Sequence, residues 1–373
     1  MIPIVQPALH DFEAVVTKFR QAWESGQVTT GVFTREFESA VAEKLKVPHA
    51  IMVQSCTAGL MLVLRALELT GEVILPAFTW TATAHALVWN GLTPVFADII
   101  PGTYTLDPQA VARAITPKTV AIMPVNVFGC PPDYEAFAQL SQGKGLKLVY
   151  DSAQGLGSKI QGQDGWWRYS GSFGEGEVFS LSPTKVVSAM EGGLITTHNG
   201  GLAQKLMEMR DYGKTVDGED IAWLGLSARV PEINAIVAYH NFARMDELVA
   251  QRQKLIATYK EELGELPGVQ YQKIPVGYQS SGNYFTLFIE NHHARCPRDE
   301  VYASLKDQGI QAKRYFFPAV HYQKVYQKIG GPYRGKLPVT EAAANAGLAL
   351  PLYSHMTEDV VRQVSGAVRD LLK

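Results

Sequence analysis

Short apolar runs in this sequence end, one after another, in residues that can do chemistry. MVQSCT delivers Cys56 and Thr57, VILPAFTW delivers Trp80, KLVYDSAQ delivers Asp151 and Gln154, and EVFSLSPTK delivers Ser180 and Lys185. A lysine drawn out of water loses charge, because desolvation disfavours the ammonium, and its amine becomes a nucleophile and proton carrier. Taken singly, each residue has an ordinary reading. Ser55-Cys56-Thr57 suits a helix N-cap, Trp80 a core position, and Asp151 a cap. Lys185 is one of 34 basic residues.

Together they meet the needs of one cofactor, pyridoxal 5'-phosphate. Its phosphate takes first-turn amides and hydroxyls, which Cys56, Thr57 and Ser180 can supply. Its ring takes an aromatic neighbour, for which Trp80 is placed. The ring nitrogen needs a carboxylate to keep it protonated, so that the ring draws electrons, and Asp151 fits. The aldehyde needs an amine, and Lys185 fits.

The elements that must hold these residues are legible as well. From about residue 48 to 200, short Val/Ile/Leu runs alternate with helical patterns: HAIMVQS, EVILP, PVFADI, AIMPVNVFG, KLVYDSAQ, EVFSLS and GGLITTHN. Several are too uniformly apolar to have a wet face, which predicts a mostly parallel, seven-stranded sheet sandwiched by helices. Ligands gather at the carboxyl ends of the strands of such sheets. Beyond Pro231 the texture changes. One long helix is predicted over EINAIVAYHNFARMDELVAQRQKLIATYKEEL. Strands follow at VQYQKI, SGNYFTLFIE and IQAKRYFF, with helices around 298–308, 339–347 and 357–372. The expected division is a large α/β domain, residues 1–240, and a smaller α+β domain, residues 241–373, joined through the long helix.

The chain resembles the DegT/StrS sugar aminotransferases, a branch of the fold-type I pyridoxal phosphate enzymes. The pieces that carry the resemblance run along nearly the whole sequence: FTREFESAVAEKL, SCTAGLMLVLRAL, GEVILPAFTWTATAHALVWNGLTPVFADI, DSAQGLGS, GSFGEGEVFSLSPTKVVSAMEGG, RVPEINAIVA, RYFFPAVHYQ and LPVTEAAANAGLALPLY. The resemblance implies Lys185 as the lysine that takes the cofactor covalently and Asp151 on the ring nitrogen. It implies Gln154 near the ring hydroxyl, Trp80 stacked on the ring, and Thr57 with Ser180 on the phosphate. Ser227, in GLSAR, stands where the family usually carries an asparagine that reaches the neighbouring subunit's phosphate. Asn126, in VNVFG, stands for a histidine, and both departures are expected near the ligand. Thr30, Arg229, Tyr315 and His321 fall in or beside segments expected to meet the substrate.

The activity implied is transfer of an amino group from L-glutamate to a nucleotide-linked keto-6-deoxy sugar, in deoxyaminosugar biosynthesis, by a homodimer with shared active sites. The stretch TGEVILPAFTWTATAHALVWNGLTPVF most resembles 4-aminotransferases of dTDP-4-keto-6-deoxyglucose. A 3-keto-sugar aminotransferase, a pyridoxal phosphate-dependent dehydratase or lyase, and a non-catalytic binding protein are the alternatives. A branch of the family that dehydrates its sugar has histidine for the lysine, and Lys185 weighs against that outcome.

Bulk properties exclude other classes. The 373 residues are 46% apolar and 19% charged with a net charge of −2, and no run of five Lys/Arg occurs. That is a globular enzyme's balance and argues against nucleic acid. The longest apolar candidate, AGLMLVLRALEL, is interrupted by Arg65, which argues against a membrane span. Three scattered cysteines without CxxC spacing, and histidines in no ligand pattern, predict neither a disulfide nor a metal. With no signal sequence in MIPIVQPALHDFE, a cytoplasmic protein is expected.

Overall fold

The computed structural model describes residues 1–290 and 292–373. Its main sheet has seven strands, in the order His49–Val53, Gly193–Thr197, Gly176–Ser180, Lys147–Asp151, Thr119–Ile122, Glu72–Pro76, Thr93–Ala97. Only Gly193–Thr197 runs against its neighbours; the other pairings are parallel. The uniform apolar runs have a simple cause. Side chains alternate between sheet faces, and here both faces are covered. Val73 and Leu75 enter one core while Ile74 enters another, and Val149 is divided from Leu148 and Tyr150 in the same way. Most positions of these strands therefore take an apolar residue.

A second sheet, with strands Val269–Tyr271, Phe285–Ile289 and Gly347–Leu350, is antiparallel. It shares a core with helices Met245–Leu263, Arg298–Asp307 and Glu358–Leu372. Aromatic side chains fill the seam between the two sheets. Phe316 lies 5.3 Å from both Phe78 and Phe128, and Tyr104 stacks on Phe288 at 3.7 Å. No described helix is long and apolar enough to cross a membrane.

Two expectations for this half need correction. The single long helix is two, Glu232–Ala243 and Met245–Leu263, divided at Arg244, whose φ of −99° and ψ of 9° leave the helical region. The halves serve different cores: Phe242 and Ala238 pack beneath the main sheet, Leu255 and Tyr259 beneath the small one. IQAKRYFF is no strand and makes only isolated bridges, from Ile310 to Ile2 and from Lys313 to Ala349. The third strand of the small sheet is Gly347–Leu350, whose GLAL composition lacks the β-branched residues by which strands are read. A further small sheet, joining Lys159–Gln161, Trp167–Tyr169 and Tyr278–Gln279, was not foreseen.

Candidate active site

Strand ends of the main sheet and the aromatic seam enclose a cavity of ≈ 340 Å³. A roomier recess of ≈ 590 Å³ lies between Tyr104, Phe288 and Ala343. We assign the chemistry to the smaller one, because the lysine and the buried carboxylate both face it. Cys56, Thr57, Trp80, Asp151, Gln154, Ser180, Lys185 and Tyr315 all line it.

Asp151 ends its strand 4% exposed. Thr83 Oγ1 donates to its Oδ2 at 2.7 Å and the Ala153 amide to its Oδ1 at 3.1 Å. Thr83 is itself oriented, with Thr79 Oγ1 2.8 Å away. Burial pushes the Asp151 carboxyl above its ordinary value; the Thr83 and Ala153 hydrogen bonds and the Lys185 charge act against that rise. A buried carboxylate whose own bonds do not offset its desolvation is suited to a cationic partner in the cavity.

Lys185 lies half-buried in the turn after strand Gly176–Ser180, its amide bonded to Ser182 O at 3.0 Å. The turn is fixed from behind by helix Glu232–Ala243. Asn234 donates to Ala189 O (3.0 Å) and Glu191 O (2.8 Å), and Asn241 to Ser188 O (2.7 Å). The glycine pair that follows has a steric cause. A Cβ on Gly193 would lie 2.4–2.5 Å from the backbone of Ser55 and Cys56, so only glycine lets that strand meet the first turn of helix Cys56–Ala66.

At that turn Ser55 is the N-cap, accepting the Ala58 amide at 3.1 Å. The amides of Cys56 and Thr57 open the helix and have no carbonyl a turn earlier to bond, which suits them to an anion. Burial, then the Asp151 carboxylate, push the Cys56 thiol well above its usual range, so Cys56 offers its amide and not a thiolate. Gln154 is anchored by the Phe128 amide on its Oε1 at 2.6 Å, which leaves its amide nitrogen for a ligand. Trp80 is 60% exposed and meets Tyr315 edge-on at 6.4 Å. These donors, one carboxylate, one amine and an aromatic fit a phosphorylated pyridine aldehyde.

Other expected residues stay outside. Ser227 and Arg229 lie on the loop before helix Glu232–Ala243. Ser227 is exposed and bridges Asp211, and Arg229 pairs with Asp211 at 3.2 Å. Thr30 occupies a turn at φ 46° with its amide on Val230 O. His321 is fully buried, 3.2 Å from Glu341. None of the four lines the cavity. Asn126, expected near the ligand, is 1% exposed behind the sheet. It bonds Ser152 and Tyr134 at 2.6 and 3.2 Å, in a cluster around the buried Glu177.

The structure adds Thr83 and Tyr284, which the sequence reading missed. Thr83 had a faint signal, three residues beyond Trp80 in the first turn of its helix. Tyr284 had none. It is 6% exposed, 4.9 Å from the Tyr315 ring. Burial acts to raise its phenol, but the Lys185 charge and the Thr184 and Tyr315 hydroxyls outweigh that, and the net direction is down. Arg252, 1% exposed, holds the adjoining chain by bonds to Asn283 O (3.1 Å) and Ser354 Oγ (2.9 Å).

Comparison with known proteins agrees along the whole chain. The profile of the DegT/DnrJ/EryC1/StrS aminotransferase family matches residues 11–369. A dTDP-4-amino-4,6-dideoxy-D-glucose transaminase of Shigella dysenteriae is 31% identical over 370 residues, 99% of this chain and 98% of the relative. DesI, crystallised in the presence of its TDP-sugar product, superposes with a TM-score of 0.90 at 34% identity, covering 99% of this chain and 92% of that one. DesV of S. venezuelae gives 0.88 at 30%, covering 99% and 98%.

Proposed function

The chain belongs to the DegT/DnrJ/EryC1/StrS aminotransferase family, and from that premise we propose a substrate and a division of labour among its residues. The reaction is transfer of the amino group of L-glutamate to C4 of dTDP-4-keto-6-deoxyglucose, with pyridoxal 5'-phosphate as cofactor. The observation that carries it is the convergence of Lys185, Asp151 and the first turn of helix Cys56–Ala66 on one cavity. The choice of a dTDP sugar rests on the S. dysenteriae relative and on DesI, named for such a product and such a ligand.

The cofactor supplies an aldehyde that accepts an amine and a cationic ring that draws electrons from the carbon losing its proton. Asp151, set by Thr83 and Ala153, holds the proton on the ring nitrogen. The Cys56 and Thr57 amides, with the Thr57 and Ser180 hydroxyls, bind the phosphate at the positive end of their helix. Gln154 orients the ring hydroxyl, and Trp80 covers the ring. Lys185 Nζ would be first the nucleophile and then the base that takes a proton from one carbon and returns it to another. Tyr284, on the wall of the same cavity, would help to orient that amine.

A homodimer is part of the same reading. Exposed Tyr212, Ile221 and Leu224 lie on the loop that carries Ser227 and Arg229, and this loop crosses to the partner's cavity. A cytoplasmic location agrees with three free cysteines.

The test is direct. The purified holoenzyme should lose its visible cofactor band on mixing with L-glutamate and regain it with dTDP-4-keto-6-deoxyglucose. Amino sugar and 2-oxoglutarate should appear in equal amount by mass spectrometry. Consumption of only a 3-keto or a non-dTDP sugar would overturn the substrate and keep the chemistry. Cofactor binding without any response to glutamate would overturn the transfer itself. A monomer by light scattering that is fully active would remove the shared site.

A further inference from the structure

The face of the main sheet opposite the cavity holds a buried acid that the reaction above does not use. The register of strand Gly176–Ser180 sets Glu177 beside Tyr150 and Val178 beside Asp151. Side chains alternate between the faces, so Glu177 points away from the cavity, toward helix Tyr134–Lys144. It is fully buried. Its bonds come from two hydroxyls and a backbone amide rather than from a cation. Ser152 Oγ donates at 2.5 Å and Tyr134 Oη at 2.6 Å, and the Gly171 amide is the third donor. A carboxyl held this way is a poor source of stability, because such bonds at best offset its desolvation. A satisfied polar network instead fixes one arrangement of the chain around it.

What it fixes is the stretch that faces the cofactor. Ser152 follows Asp151 directly, and its hydroxyl donates to Glu177 while accepting from Asn126 Nδ2 at 2.6 Å. Asn126 Nδ2 also reaches Tyr134 Oη at 3.2 Å, and the Asn126 amide donates to Asp151 O at 3.0 Å. The Asp151 amide bonds Pro124 O at 3.0 Å, and that of Ser152 bonds Val178 O at 2.9 Å. The turn then folds back on the cluster. The Gly155 amide donates to Ser152 O at 2.8 Å, and a Cβ there would lie 2.7–3.0 Å from the Asn126 side chain. Gln154 sits between these anchors, its Oε1 on the Phe128 amide. Asp151 and Gln154, the two residues assigned to the ring, rest on one buried cluster.

Resting on the aminotransferase reading above, we propose that Glu177 is a positioning residue of this site. Through Ser152 and Asn126 it sets the chain from Asp151 to Gln154, and with it the angle at which both side chains meet the cofactor ring. Glu177 does not line the cavity and acts only through these bonds.

The test uses the holoenzyme with Ser152→Ala, Glu177→Leu and Glu177→Gln. Three readings are taken: urea unfolding, the visible band and release rate of pyridoxal 5'-phosphate, and the half-reaction with L-glutamate. Glu177→Leu fills the space but leaves both hydroxyls without their acceptor. It should slow the half-reaction by about ten- to a hundredfold, the scale of reacting groups displaced by up to an ångström. The half-saturating glutamate concentration should move far less, while the band shifts and the cofactor leaves faster. Ser152→Ala should show the same signs at about threefold, the worth of one hydrogen bond. It removes a single oxygen, so it decides the matter even if the leucine variant does not fold. Glu177→Gln keeps an oxygen for both hydroxyls and should restore most of the rate and the band. If Ser152→Ala unfolds at lower urea yet keeps the band, the release rate and the half-reaction, Glu177 serves stability alone and the proposal falls. A glutamine variant as slow as leucine would also overturn it, because the site would then use the charge and not the bonding. All of these readings need the cofactor and glutamate but no sugar, so a wrong sugar substrate is seen separately.

Discussion

Asp151 and Lys313 line the same cavity and are held in different ways. Asp151 ends a strand with a parallel neighbour on each side, 4% exposed, its carboxylate bonded by Thr83 and Ala153. Lys313 lies exposed on an irregular segment tied to the small sheet by a bridge to Ala349. Groups that move a proton must be held within a fraction of an ångström, and a buried ladder end does this. Groups that meet a large, variable substrate need reach, and a rim loop over an aromatic seam provides it. On the proposed function, the floor would carry the chemistry and the rim the selection.

Substitutions can break that contrast, and the floor should respond most. Lys185→Ala should lower kcat by about 10⁴-fold or more, since amine and proton carrier are lost together. Single-turnover kinetics with glutamate would show it. An alanine variant that keeps more than about a hundredth of the activity would put the reacting amine elsewhere. Asp151→Ala should cost about 10²–10³-fold in kcat, the scale of one lost electrostatic partner in a dry site. Retention of the cofactor, followed by its absorbance on dialysis, separates lost chemistry from lost binding. If the variant turns over normally, the carboxylate is only a strand cap.

Smaller changes sharpen the contrast. Thr83→Val keeps the shape and removes the donor to Asp151 Oδ2, so the Asp151 carboxyl should rise further and kcat fall about tenfold, the worth of one hydrogen bond to a charged group. Unaltered turnover, with the pH–rate profile in place, would show that Ala153 alone orients the carboxylate. Glu177, deeper still, tests whether buried bonding beneath the floor has a price in stability. Its carboxyl is pushed up to about 7, first by burial, although Ser152, Tyr134 and the Gly171 amide bond it. Because the folded state binds this proton more tightly than the unfolded chain, its contribution is full below pH 4.5 and is lost as pH rises through about 7. The loss amounts to about 3 kcal/mol. Glu177→Gln should flatten that part of the stability profile, read by urea unfolding across the same range; an unchanged slope would assign it to other groups.

Much of the floor was legible before any coordinates. Each strand must cover two cores at once, so alternation disappears and the run itself becomes the signal. Where such a run gives way to polar residues at a carboxyl end, those residues line the cavity, as Cys56-Thr57, Asp151, Ser180 and Lys185 do. The rim was not legible for a corresponding reason. KRYFFPAVHYQ has the composition of a strand, yet Lys313 and Tyr315 are placed by packing against Ala349, Tyr284 and Trp80, contacts far away in sequence.

Local pattern thus determined the sheet, its two covered faces and the residues at its strand ends, because period and burial act over a few neighbours. Tertiary structure alone decided the rest. It turned His321 and Asn126 inward and left Ser227 and Arg229 on an outer loop. It broke one helical pattern at Arg244 so that each half could reach its own core. It brought Thr83 to Asp151 across 68 positions and Tyr284 to the Lys185 cavity. Those outcomes depend on which distant surfaces meet, and no stretch of a few residues contains that information.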